Sequence, residues 1–264
     1  SASAIRAVTR IDCATAQEEA DVISILLREA IEAPEKTAAV ITADRNLALR
    51  VMHNMSRWGV MIDDSAGTSL HLTRTGSWAL NCAQMVADNF APISFLTALK
   101  HPLSTFRQYA PQKILRNIEL SILRGVQGTY GLEYLKARAN EAEKLDDTAI
   151  EYLDALESAV SPLMDIINKD TSEYPFASLL RAHIKTLENM AATENADGRD
   201  RIWQGDDGEA LGQFFTEILN LSEDLPNVSF DQYILILRQL ISQKTVRPKY
   251  GVHPRISILG QMEA

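Results

Sequence analysis

"VRPKYGVHPRISILGQMEA", residues 246–264, returns the chain to a β pattern after a long run of helical sequence. Ile256, Ile258 and Leu259 form a short apolar run of the kind that fills a buried strand. Its partners have to come from elsewhere, and the simplest topology makes residues 256–260 a further strand of a sheet begun near the N-terminus. The helical residues between are then an insertion.

Working outward, the first 67 residues alternate strand and helix. "AIRAVTRID" places Ile5, Val8 and Ile11 in a β-favouring run, and a strand is expected over 5–11. "QEEADVISILLREAIE" puts Val22, Ile23, Leu26, Leu27, Ala30 and Ile31 on one helical stripe, with acids in its first turn. "TAAVIT" is a second strand (38–42) of the kind covered on both faces. Asp44 is the N-cap expected for "RNLALRVMHNMSRW", and Gly59 is its stop signal. "VMID" gives a strand over 59–63, and "DDSAG" turns away. This βαβαβ order implies a parallel, RecA-like or Rossmann-like sheet.

Residues 73–245 carry the 3.6-residue apolar period, through Trp78, Cys82, Met85 and Val86 and then Ile114, Leu115, Ile118 and Ile122, with "NADGRDRIWQGDDGE" (195–209) as the one loop-like interruption. Ser161-Pro162 is expected to end one helix and begin the next, with proline in its first turn. His183 sits on the stripe of Leu180, Ile184 and Leu187 and reads as a core histidine. The fold class is therefore α/β: a partial RecA-like parallel sheet interrupted by a large all-α insertion. Residues 1–72 and 246–264 make the sheet domain, incomplete at its C-terminus, and 73–245 the helical domain.

Chemistry is sparse. No glycine is followed by lysine, so no phosphate loop of the GxxxxGK[ST] type exists. GxGxxG and GxSxG turns are absent too. None of the nine lysines has an acid two residues before it. The histidines at 53, 71, 101, 183 and 253 lack metal-binding spacing. Asp63-Asp64 reads as a strand-end turn rather than a metal site. No catalytic and no metal-ligating residue is expected. Cys13 and Cys82 read as reduced cytosolic thiols, pointing to a cytoplasmic protein. No stretch of 18 uncharged apolar residues occurs, so no membrane span or membrane partner is expected.

The formal net charge of −9 disfavours nucleic-acid binding over the whole surface. Basic charge is concentrated locally, however: no acid lies between Asp231 and Glu263, whereas Arg238, Lys244, Arg247, Lys249 and Arg255 accumulate there. Lys244, Arg247, Lys249 and Arg255 are candidate phosphate contacts, with Tyr250 placed to stack on a base. Residues 107–124, with Arg107, Lys113, Arg116 and Arg124 against one acid, form a weaker candidate. The acidic run Glu141, Glu143, Asp146, Asp147 and Glu151 would suit a basic protein partner.

Residues 37–67 and 246–264, with "LKHPL" (99–103), "IELSILRG" (118–125) and "WQGDDGEAL" (203–211), resemble the alphaproteobacterial AddB family. That family supplies the helicase-nuclease subunit that works with AddA in DNA double-strand break repair and recombination. The resemblance implies a second RecA-like (2A-type) domain with a helical 2B-type insertion, excised from a longer protein that continues to a nuclease domain. Residues 37–67 resemble the region around helicase motif IV, and 253–264 the start of the motif V region. Active helicases commonly carry an arginine just after the motif IV strand; here Thr42-Ala43-Asp44-Arg45 fills that stretch, so the resemblance implies Arg45 as the nucleotide-proximal candidate, while its own position reads as a surface helix residue. The implied partners are DNA, through the parent complex, and an AddA-type subunit. No cofactor is expected in this segment, while the parent would use ATP and Mg. The function expected is that of a DNA-engaging or structural segment without catalytic motifs of its own, with a non-catalytic interaction scaffold as the alternative.

Overall fold

The computed structural model describes residues 8–106, 111–124, 131–142, 147–169, 171–221, 225–247, 252–261 and 263. The chain divides into two compact units, residues 1–67 with 247–264 and residues 68–246.

The first unit is a small α/β layer. Helix α1 (Ala16–Glu32) opens at Thr15, whose side chain accepts from the Glu18 N–H. Strand β1 (Ala38–Ile41) leads to α2 (Arg45–Ser56), and β2 (Asp63–Asp64) follows. As expected, Asp44 caps α2 by accepting from the Asn46 and Leu47 N–H groups. Gly59 takes φ +73°, a left-handed conformation that suits glycine where the chain leaves the helix. The last strand, here β7 (Ile256–Leu259), pairs in parallel with both β1 and β2, giving the order β1-β7-β2. The returning strand is thus the centre of the sheet. Leu27 and Ala30 of α1 and Val51 and Met55 of α2 pack with Ile62, Ile256 and Ile258 in one buried cluster. Residues alternating with this face are more open, and Ile41 is 56% exposed.

Two expectations for this unit change. Residues 8–11 form no strand, and Val8 and Ile11 are exposed; residues 5–7 lie outside the described residues. Val8 and Ile11 are three apart, and an odd spacing puts side chains on opposite faces of a strand, so these two cannot share one buried side. The strand expected over 59–63 is reduced to Asp63–Asp64, although the His253 N–H still donates to the Met61 carbonyl.

The second unit is helical. Its ends meet in a short antiparallel ladder between β3 (Thr68–Ser69) and β6 (Thr245–Val246). A 3-10 turn (Leu70–Leu72) leads to α3 (Arg74–Ala87), α4 (Pro92–Leu99) and α5 (Pro111–Ile118), which widens into a π turn at Glu119–Leu123. Then come α6 (Leu132–Glu141), α7 (Asp147–Ile167), β4 (Tyr174–Pro175), α8 (Phe176–Ala191), α9 (Arg199–Ile202), α10 (Gly205–Leu221), β5 (Asn227–Val228) and α11 (Phe230–Ser242). Among the described residues, strands β4 and β5 pair only with each other. One core runs through Trp78, Phe95, Tyr152, Leu180, Phe215 and Tyr233.

The helix break expected at Ser161-Pro162 does not occur: α7 runs through Pro162. Proline lacks the N–H that would bond the carbonyl four residues back, at Ser158. The Ser161 hydroxyl donates to that carbonyl instead, at 3.0 Å. The orphaned acceptor is satisfied from next door.

His183 is a core histidine, fully buried. Its Nε2 lies 3.0 Å from the Ala79 carbonyl, so Nε2 carries the proton and Nδ1 accepts from the Tyr233 hydroxyl at 2.8 Å. Burial lowers its pKa to about 4, below the ordinary value of 6.5. The stability this neutral ring contributes is complete above pH 6.5 and is lost as pH falls towards 4. The whole loss is roughly 3 kcal/mol, at about 1.4 kcal/mol per unit. NMR titration of the His183 ring, alongside urea melts across this range, checks it; a midpoint near 6.5 would refute the buried neutral assignment.

Candidate functional site

In open parallel sheets, ligands gather at the carboxyl ends of the strands. Here those ends carry Thr42 after β1, Asp64 and Ser65 at and after β2, and Gly260 after β7. Arg45, in the first turn of α2, reaches this edge. Its guanidinium forms a two-pronged ion pair with Asp64, with Nη1–Oδ1 at 3.1 Å, and also donates to the Gly67 carbonyl at 3.2 Å. Asp64 is buried, its side chain 5% exposed, whereas Arg45 is 42% exposed. The Asp64 hydrogen bond raises the Arg45 pKa further. Arg45 therefore lies at the carboxyl edge of the sheet, with its donors turned to a carboxylate of its own unit. Asp64 also accepts from the Ala66 N–H, which makes the strand-end turn. Glu263 completes the edge: the Ser65 hydroxyl and the Gly260 N–H hold its carboxyl below the usual range. Among the described residues no group of His, Cys, Asp or Glu could hold a metal ion.

The basic candidates are dispersed over different duties. Arg255 donates to the carbonyls of Ile31 and Ala33 at 2.8 Å and of Lys36 at 3.2 Å. These lie at and just past the C-terminus of α1, where acceptors lack helical partners and a cation is favoured. Lys244 belongs to the helical unit and pairs with Glu217 of α10. Arg247 belongs to the sheet unit and is exposed. Lys249 and Tyr250 lie outside the described residues. Sequence reasoning could not foresee the Arg255 capping role, because its acceptors lie more than 200 residues away and are backbone atoms.

A second basic group, scattered in sequence, converges in the helical unit. Lys100, which caps α4, pairs with Glu119 at 2.7 Å, and Arg124 approaches the other oxygen at 3.9 Å. Arg116 of α5 joins them around a cleft of about 310 Å³. Lys100 first, then burial opposing it and both arginines, sets the Glu119 carboxyl below its usual range. One acid here faces three cations. The widened π turn begins at Glu119, and such turns recur where helices carry function. Residues 107–124 were a weaker candidate by sequence; Lys113 is exposed nearby on α5, and Arg107 lies outside the described residues. Lys100 was missed. The available signal was that "LKHPL" and "IELSILRG" both stood out, and they meet at this ion pair.

"WQGDDGEAL" proves architectural. The Trp203 indole donates to Glu188 of α8, and Asp207 accepts from the backbone and hydroxyl of Thr75 at the start of α3. A Cβ on Gly208 would lie 2.3 Å from the Ile202 carbonyl. In the acidic run, Glu141, Asp147 and Glu151 are exposed helical residues, and Glu143 and Asp146 lie outside the described residues.

No protein-family model and no curated protein matches the chain.

Replacing Arg45 with alanine leaves Asp64 buried beside no cation and is expected to cost roughly 1–3 kcal/mol. Arg255→Ala, which strips three carbonyls of a donor, should cost a similar amount. Urea midpoints measure both, and unchanged midpoints would remove these arginines from the structural role assigned to them.

Proposed function

We propose that the chain is a DNA-engaging, non-catalytic segment of an AddB-type helicase-nuclease subunit, acting in double-strand break repair. The observation that supports this reading is topological. A parallel sheet is completed by a strand that follows a helical insertion, and the ends of that insertion are zipped together at β3 and β6. The motifs that resemble the family occupy both units. On this reading an AddA-type subunit is the protein partner, the protein is cytoplasmic, and ATP and Mg serve the parent complex. No helix among the described residues is long and apolar enough to cross a membrane.

Phosphate contact is assigned to Lys100, Arg116 and Arg124, with Arg247 as a separate exposed cation. Arg255 is left out because its guanidinium is committed to α1. Three cations around one carboxylate leave a local excess of positive charge that a phosphodiester can share. The second reading, a protein-interaction scaffold, draws on the commitment of Lys244 and Arg255 to intramolecular bonds.

Binding of a labelled single strand across a salt series separates them. Changing Lys100, Arg116 and Arg124 to alanine should flatten the slope of log affinity against log salt by roughly two units, at about 0.7 per contact. Arg255→Ala should leave the slope alone. An unchanged slope in the triple variant would favour the scaffold. The purified chain should turn over neither ATP nor DNA, because it has no phosphate loop and no acid-lysine set to position a phosphoryl group.

A further inference from the structure

Two adjoining hollows, of about 520 and 300 Å³, lie along the C-terminal half of α7 and share Asn89, Met164 and Asn168. Their apolar surface is the half-buried flank of Tyr134, Met164, Ile167 and Phe230. Exposed carboxylates edge it: Glu133 on α6, Glu157 and Asp165 on α7, and Asp231 on α11. Among the described residues, neither hollow is lined by a lysine or arginine. Lys136 compensates Glu157 at 2.6 Å, but Glu133, Asp165 and Asp231 make no ion pair among the described residues. At the head of α6 the chain passes through Gly131 at φ +130°, where a Cβ would sit 3.3 Å from the Asn89 side chain. A side chain there would crowd one end of the groove.

We infer that this groove docks a basic amphipathic helix of a partner protein. Four apolar side chains held at half burial still have area to lose to water, and a helix laid in a groove covers such area with residues spaced three and four apart. The rim selects the sign. An acidic occupant would meet four carboxylates, and a neutral one would leave three of them unpaired, whereas lysine or arginine flanking an apolar stripe matches both features. The inference does not depend on the DNA reading, since it uses no residue assigned there.

The test uses the full chain and a labelled model peptide of about 18 residues, roughly 27 Å of helix, with leucine on one face and lysine on the other. Fluorescence anisotropy should show saturable binding. It should weaken about tenfold or more both in the Glu133→Lys/Asp165→Lys variant and in Met164→Glu, as expected when charge and apolar contacts act together. Circular dichroism confirms that each variant folds. A scrambled peptide of equal charge should bind far more weakly. Equal binding of the scrambled peptide would reduce the interaction to general attraction to an acidic protein and overturn the proposal. So would undiminished binding by either variant. Sedimentation velocity supplies the remaining outcome: self-association of the wild type that these substitutions abolish would give the groove to a second copy of the chain, and the proposal would fail.

Discussion

Strand β7 carries backbone donors and acceptors on both edges, and its two neighbours, β1 and β2, were laid down before the helical unit began. Buried peptide groups without partners are costly, so the three strands are completed together or not at all. Parallel pairing adds a second demand, because consecutive parallel strands cannot be joined by a tight turn. Here the connection from β2 to β7 is the whole of the second unit. The β3–β6 ladder, with the Leu70 N–H bonded to the Lys244 carbonyl at 2.7 Å, holds the two ends of that connection side by side. A large insertion is tolerated in a small sheet when its ends emerge together, since closing the loop costs entropy only once.

The sequence was informative wherever a residue acts on its own few neighbours. Asp44 as an N-cap, Gly59 as a helix stop and the apolar run of β7 all work within one turn or one strand, and each could be read without a structure. The strand expected over residues 5–11 shows the limit: β-favouring side chains were present, but spaced by three. Pro162 shows another. A proline normally ends a helix pattern, yet here the preceding serine returns the lost hydrogen bond, and the packing of α7 against its neighbours does the rest.

Charged side chains were harder to read, because a cation has no period. Arg255 reads as one member of a basic stripe, but it stabilises a helix terminus more than 200 residues earlier. Lys100 attracts little notice alone and becomes part of a cluster only when the α4–α5 connection brings Glu119 to it. Arg45 is intermediate: its place after β1 was readable, but its buried partner Asp64 comes from the next strand. In each case the missing information was the tertiary partner, and no local pattern encodes it.

The net charge of −9 argues against phosphate binding only if the charge is treated as spread evenly. At physiological salt the Debye length is about 8 Å, so a ligand in a cleft responds chiefly to the groups that line it. Lys100, Arg116 and Arg124 outnumber Glu119 in one cleft of the helical unit, while Glu133, Asp165 and Asp231 stand along another whose described lining mixes apolar and uncharged polar side chains. The total is the sum of two local fields of opposite sign and a solvated remainder. A protein arranged this way can attract an anion at one place and a cation at another, and its overall acidity then sets the approach of ligands from a distance rather than their choice of site.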